Sequence, residues 1–244
     1  MPILKEFELD LPYIVDENLI FELMKQNNWE YYEATRFDYE KNWKQKRMKF
    51  RDEMRCIGSL YERFFKGFKF KNDKCWKIAV QCVDKITDLT IKTIGGVFEV
   101  QVAFEINNYF QLSGYEKKKY LLKTLKEGID LVVEHEQWNN DMFDFPYSEI
   151  IKVDYINTWV WNTKFSPSRK YIAEVFCEHN ISTFDISIII KNRDKEEIKR
   201  VKLITDRPNE WSFVQYFGKL NWISHEEVAL FNKKGTKHWS VFIY

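Results

Sequence analysis

Glycine and proline are scarce in this chain: eight Gly and five Pro in 244 residues. Sites that cradle phosphates and nucleotide cofactors recruit glycine-rich loops. Neither a phosphate-loop signature nor a G-x-G-x-x-G run is present, and no G-x-S-x-G nucleophile elbow exists. The one glycine pair, Gly95-Gly96, sits between two strand-like runs and reads as a hairpin turn. No cofactor is expected.

Cysteine is also sparse. Cys56, Cys75, Cys82 and Cys177 form no C-x-x-C pair. Three lie in apolar, strand-like contexts, where a thiol behaves as a small hydrophobe. The N-terminal run "MPILKEFELDLPYIV" carries acids where a signal peptide needs an apolar stretch. No stretch approaches the length of a membrane span. A reduced, cytoplasmic protein without membrane association is the expectation. A net charge of +1 supplies no global field for nucleic acid or anionic lipid.

Aromatics are abundant, at 17% of the chain, with nine Trp, thirteen Tyr and twenty Phe. The hydrophobic fraction of 45% excludes a disordered chain, and the length suffices for one large domain or two small ones. Large rings bury much area each, so a well-packed core with some rings left at a surface is expected.

The pattern along the chain changes period twice. "ILKEFEL" alternates as an opening strand, and "DENLIFELMKQ" suits a short helix capped by Asp16. Residues 39–61 fit either helix or strand. "RFFKGFKF" and "CWKIAVQCV" read as a hairpin around Asn72-Asp73, and "ITDLTIKTI" and "VFEVQVAFEI" as another around the glycine pair. From Ser113 the period becomes helical. Leu121, Leu122, Leu125, Ile129, Val132 and Val133 form one stripe, and Ser113 with Glu116 makes a capping box. A second helix is expected from Pro146 to Asp154, with the proline in its first turn.

After Phe165 the period returns to two. "FSPSRKYIAEVF" looks like the outer strand of a propeller blade. A propeller repeats at about 40–50 residues and needs at least about four blades. No third copy appears, so the stretch is one strand of an antiparallel meander. The predicted fold is α+β, with antiparallel β-meander regions flanking a central helical pair. A single domain over 1–244 is expected, with possible subdivision into 1–112, 113–164 and 165–244.

Catalytic patterns are incomplete. "HEQWN" at His135 and "HEEVA" at His225 each begin the H-E-x-x-H zinc motif and lack the second histidine. Cys177 and His179 share a strand face, yet no third ligand is spaced to complete a metal site, so none is predicted. An enzyme with an unrecognised site would use His135, Cys177, His179 or His225. The weight of the sequence leans away from catalysis.

Charge is segregated. Met1 to Thr35 holds two basic and eight acidic residues, and Arg36 to Lys74 thirteen basic and six acidic. In the basic segment, Trp43, Lys44, Lys46, Arg47 and Lys49 interleave cations with a flat ring. That composition can track a phosphate backbone and stack bases. The plainer expectation is that the acidic and basic segments face each other within the fold, or that the basic residues solvate an exposed face.

Six tryptophans, Trp138, Trp159, Trp161, Trp211, Trp222 and Trp239, exceed what a core this size obviously needs, and interfaces use such rings as anchors. "SPSRKYIAEVFCE" and "FGKLNWISHEEVALF" resemble the immunity proteins of bacterial polymorphic-toxin systems, over about a third of the chain. The resemblance implies a non-catalytic protein that binds and neutralises one toxin domain. The contact would then fall on the acidic Met1–Thr35 segment or on acidic loops such as "EHEQWNNDMFD", through Glu134, Glu136, Trp138, Asp141 and Asp144, facing a basic nuclease toxin. Nucleic-acid binding through 36–74 is the alternative.

Overall fold

A computed structural model describes all of residues 1–244, and the fold is α+β with one mixed and two antiparallel sheets. The chain forms two compact units, Met1–Tyr155 and Ile156–Tyr244.

The first unit opens with β1 (Glu6–Asp10), α1 (Glu17–Asn27) and α2 (Tyr31–Asp38). A π-helical turn, Tyr39–Trp43, then runs into α3 (Lys44–Phe65). After β2 (Lys77–Val83), β3 (Lys92–Ile94) and β4 (Val97–Ala103) come α4 (Ile106–Gln111), α5 (Gly114–Glu136) and α6 (Asp141–Lys152). The expected caps are present. Asp16 accepts the amides of Asn18 and Leu19, and Ser113 with Glu116 closes a capping box at α5. All six residues of the α5 stripe are buried.

The sheet order is β1-β2-β4-β3, and β1, β2 and β4 run parallel. Phe7 and Leu9, Ile78 and Val80, and Phe98 and Val100 point to the buried face. α5 comes so close to β2 that a Cβ on Gly128 would lie 2.3 Å from the Val80 side chain. At the sheet edge, α3 packs along β1. Glu62 accepts the outward-facing amide of Phe7 at 3.1 Å and is itself held by Arg55 at 2.9 Å.

Two local expectations are corrected. The glycine-pair hairpin forms as β3 and β4, but "RFFKGFKF" is no hairpin arm. Its first three residues finish α3, where Phe65 packs on Phe7 and Phe143, and the burial of that ring outweighs the strand-like composition. The turn at Asn72 is real, since its Oδ1 accepts the amides of Lys74 and Cys75 at 2.8 and 2.6 Å. It joins a segment bridged to Ile3, not a hairpin. The helix expected from Pro146 begins at Asp141, and Pro146 is buried within it.

The second unit is all strands apart from one short α-helix and the 3-10 turn, Val214–Tyr216, that continues it. β5 (Thr158–Phe165), β6 (Ile172–His179), β7 (Phe184–Lys191) and β8 (Glu197–Asp206) form an antiparallel meander in sequence order. β5 lies in the stretch read as part of the helical pair. Its sequence, "TWVWNTKF", gives no clean alternation of buried and exposed positions, which hid it. α7 (Glu210–Phe213) follows, then β9 (Lys219–Trp222), β10 (Glu227–Phe231) and β11 (His238–Phe242), a second antiparallel sheet. Val175, Cys177, Ile186 and Ile188 from the first sheet share one core with Leu220, Val228, Leu230 and Val241 from the second. The "FSPSRKYIAEVF" stretch is the β5–β6 hairpin. Ser166 takes the turn, exchanging backbone hydrogen bonds with Tyr171 and Arg169.

Candidate functional site

The surplus of tryptophan resolves residue by residue. Trp138 stacks on Phe143 at 5.7 Å and meets Phe70 edge-on at 4.9 Å. Trp222 is buried, and its indole N–H donates to the Lys164 carbonyl at 3.1 Å. Trp159, Trp161 and Trp239 pack against the second-unit core. Trp211 differs from all five, being 90% exposed.

The turn that carries Trp211 is pinned at several points. Asn209 caps α7 and accepts the Trp211 amide at 3.0 Å. Two residues on, Phe213 lies flat on Phe184 with ring centres 3.6 Å apart. Upstream, the buried His179 donates its Nε2 proton to the Pro208 carbonyl at 3.0 Å. Asp206 gathers the Ser212 hydroxyl at 2.8 Å, the Tyr216 hydroxyl at 2.7 Å and the Arg207 amide at 2.7 Å. Burial pulls the Asp206 carboxyl upward, but the hydrogen bonds from Tyr216, Arg207 and Ser212 win and hold it below the ordinary range. The same bond, donated by Tyr216 to Asp206 and helped by burial, pushes the Tyr216 hydroxyl up to about 12. The indole therefore stands on a pre-organised platform, which lowers the ordering cost of a contact.

The expected acidic loop is the junction of two helices, with Glu134 and Glu136 in the last turn of α5 and Asp141 and Asp144 in the first turn of α6, and two of these four acids are paired within their own unit. Glu136 pairs with Lys74 at 2.7 Å and with His135 at 3.0 Å, and only 5% of its side chain is exposed. Asp144 pairs with Lys126 at 2.6 Å. Glu134 and Asp141 are exposed. Trp138 is part of the aromatic cluster described above.

In the basic segment, acids of β1 face cations of α3. Arg47 grips Asp10 through both its Nε and an Nη nitrogen, and Arg51 meets Glu8 at 3.1 Å. The Asp10 bond, partly offset by burial, raises the Arg47 guanidinium further above its usual value. Trp43 is half-buried and donates its indole N–H to the Leu11 carbonyl at 3.2 Å. Lys44 and Lys46 are exposed. Lys49 lies 3.9 Å from Glu53 and sits over the Phe110 ring.

The catalytic candidates are divided between the two units. His135 belongs to the first unit, and Cys177, His179 and His225 to the second. Cys177 and His179 do share a face of β6, but that face is the core. No group of three His, Cys, Asp or Glu side chains is placed to hold a metal ion. No helix is long and apolar enough to cross a membrane.

A cleft of about 340 Å³ lies in the first unit. Its walls come from the segment after β1, the end of β2 with the segment that follows it, Ile106 beyond β4, and Trp43 of the π-helical turn. It therefore sits at the carboxyl ends of three parallel strands, the usual place for ligands in open parallel sheets. Strand direction was the missing signal in the sequence, because local turn residues suggested hairpins in this region.

Comparison with known proteins returns no match, neither to a family model, nor to a curated protein, nor to a solved structure.

Proposed function

We propose that this chain is a non-catalytic protein-binding module of the immunity type, with Trp211 as the anchor of its contact. The 90% exposure of that indole carries the reading. A tryptophan presents one of the largest apolar surfaces of any side chain, and here it faces water from a turn braced by Asn209, Phe213 and Asp206. Binding hot spots are enriched in tryptophan near the centre of an interface.

The contact moves accordingly, from the 134–144 stretch, where α5 ends and α6 begins, to the Asp206–Tyr216 turn. Two of the acids of that stretch already pair with lysines of their own unit, and its tryptophan is packed. The nucleic-acid alternative has less to stand on, since Arg47 faces Asp10 and Trp43 is hydrogen-bonded to Leu11.

Hydrogen exchange tests the reading. The tagged protein is used to isolate a partner from its own lysate after nuclease treatment, at about 0.5 M salt, which screens weak charge contacts. Added protection over residues 206–217 in the purified complex is expected. Protection confined to 134–144 or to 36–74 rules the Trp211 contact out.

A further inference from the structure

The cleft at the carboxyl ends of β1, β2 and β4 is built on fixed walls. Two tethers hold the segment after β1. Tyr13 donates to the buried Asp38 at 2.6 Å, and the Leu11 carbonyl accepts the Trp43 indole N–H. Asn42 holds the other Asp38 oxygen at 2.7 Å, one residue before Trp43. The π-helical turn at Tyr39–Trp43 inserts an extra residue ahead of α3, and turns of this kind recur at functional sites. Opposite, Gln101 of β4 fixes the segment after β2, accepting the amides of Thr87 and Asp88 at 2.9 and 3.1 Å.

The lining divides by chemistry. Leu11, Val83, Ile106 and the Trp43 indole form an apolar wall. The charged groups are Asp16, Asp84 and Lys85, so acids outnumber bases by two to one. The volume falls within the range of small-molecule sites, which pair an apolar body with a few polar groups. An apolar wall with an indole, beside two carboxylates, favours a ligand that pairs a flat ring with a positive charge.

We propose that this cleft is a binding site for a small arylalkylamine, its aromatic ring against Trp43 and Val83 and its side-chain ammonium group toward Asp84. The site belongs to the first unit and does not depend on the Trp211 contact.

Three indoles sharing one ring and differing in charge test it: tryptamine, indole and indole-3-acetate, titrated into the full chain by calorimetry. Saturable binding is expected, with tryptamine at least tenfold tighter than indole-3-acetate. Asp84→Asn should close most of that gap. Thr87→Trp should abolish binding by filling the mouth. Asp84 and Thr87 are both exposed, so these variants should fold, as far-UV circular dichroism will verify. The proposal is overturned if no indole saturates or if indole-3-acetate binds as tightly as tryptamine. Binding that survives Thr87→Trp would also overturn it, because the ligand would then sit elsewhere.

Discussion

Glu53 of α3 and Lys117 of α5 meet inside the first unit, with the ammonium nitrogen 2.9 and 3.0 Å from the two carboxylate oxygens. Both are buried, and Tyr109 adds its hydroxyl to the same carboxylate at 2.8 Å. Burial, then the neighbouring Glu53, pushes the Tyr109 hydroxyl far above its ordinary value, so it remains a donor. One ion pair and one hydrogen bond thus tie three helices together.

Breaking that cluster from one side should be costly. Lys117→Met leaves the buried carboxylate with only the exposed Lys49, 3.9 Å away, a loss of about 3–5 kcal/mol. Replacing all three groups with apolar side chains, as Glu53→Leu, Lys117→Met and Tyr109→Phe together, should recover most of it. Urea denaturation of both variants measures the difference. A loss below about 1 kcal/mol for Lys117→Met would mean that water reaches the pair, as at exposed ion pairs.

The thiols should be inert in the folded protein. All four cysteines are buried. Burial pushes Cys56 up to about 11 and Cys75 up to about 12, and drives Cys82 well above its usual value. The thiolate is the reactive form, so a disulfide reagent at pH 8 should label essentially none in the native state and all four after unfolding. One fast-reacting native thiol would reopen the enzymatic alternative at that residue.

Much of the architecture was legible because local chemistry agreed with the final packing. Asp16, and Ser113 with Glu116, cap the helices they were expected to cap, and the Leu121–Val133 stripe lies on the buried face. α3 stayed ambiguous because Lys and Arg crowd its first turns, and their partners Asp10 and Glu8 are far away in sequence. The parallel pairing of β1, β2 and β4 was hidden for the same reason: register between distant strands leaves no local mark. The site was least legible. Nothing in composition separates Trp211 from Trp138, since one faces water and the other packs on Phe70 and Phe143 only through tertiary contacts.

The Trp211 platform should weaken at both ends of the pH scale. Asp206 is held below its ordinary value, so its contribution is complete above the usual carboxylate range, about 3.9, and is lost as pH falls through its lowered folded value. Tyr216 is raised to about 12, so its contribution is complete below about 10 and is lost as pH climbs toward 12. Hydrogen exchange at residues 206–217, corrected for intrinsic rates, reports both limbs. Asp206→Asn should remove the acid limb and Tyr216→Phe the alkaline one. Identical profiles in wild type and variants would show that these bonds do not hold the turn.

The most direct test is the dissociation constant of the isolated partner complex for wild type and Trp211→Ala, measured side by side. Trp211 is 90% exposed, so its removal should leave the fold and its stability nearly unchanged. As a binding anchor it should cost at least about 2 kcal/mol, roughly a thirtyfold rise in Kd. A Kd within about twofold of wild type, with the fold intact, would contradict a contact centred on Trp211.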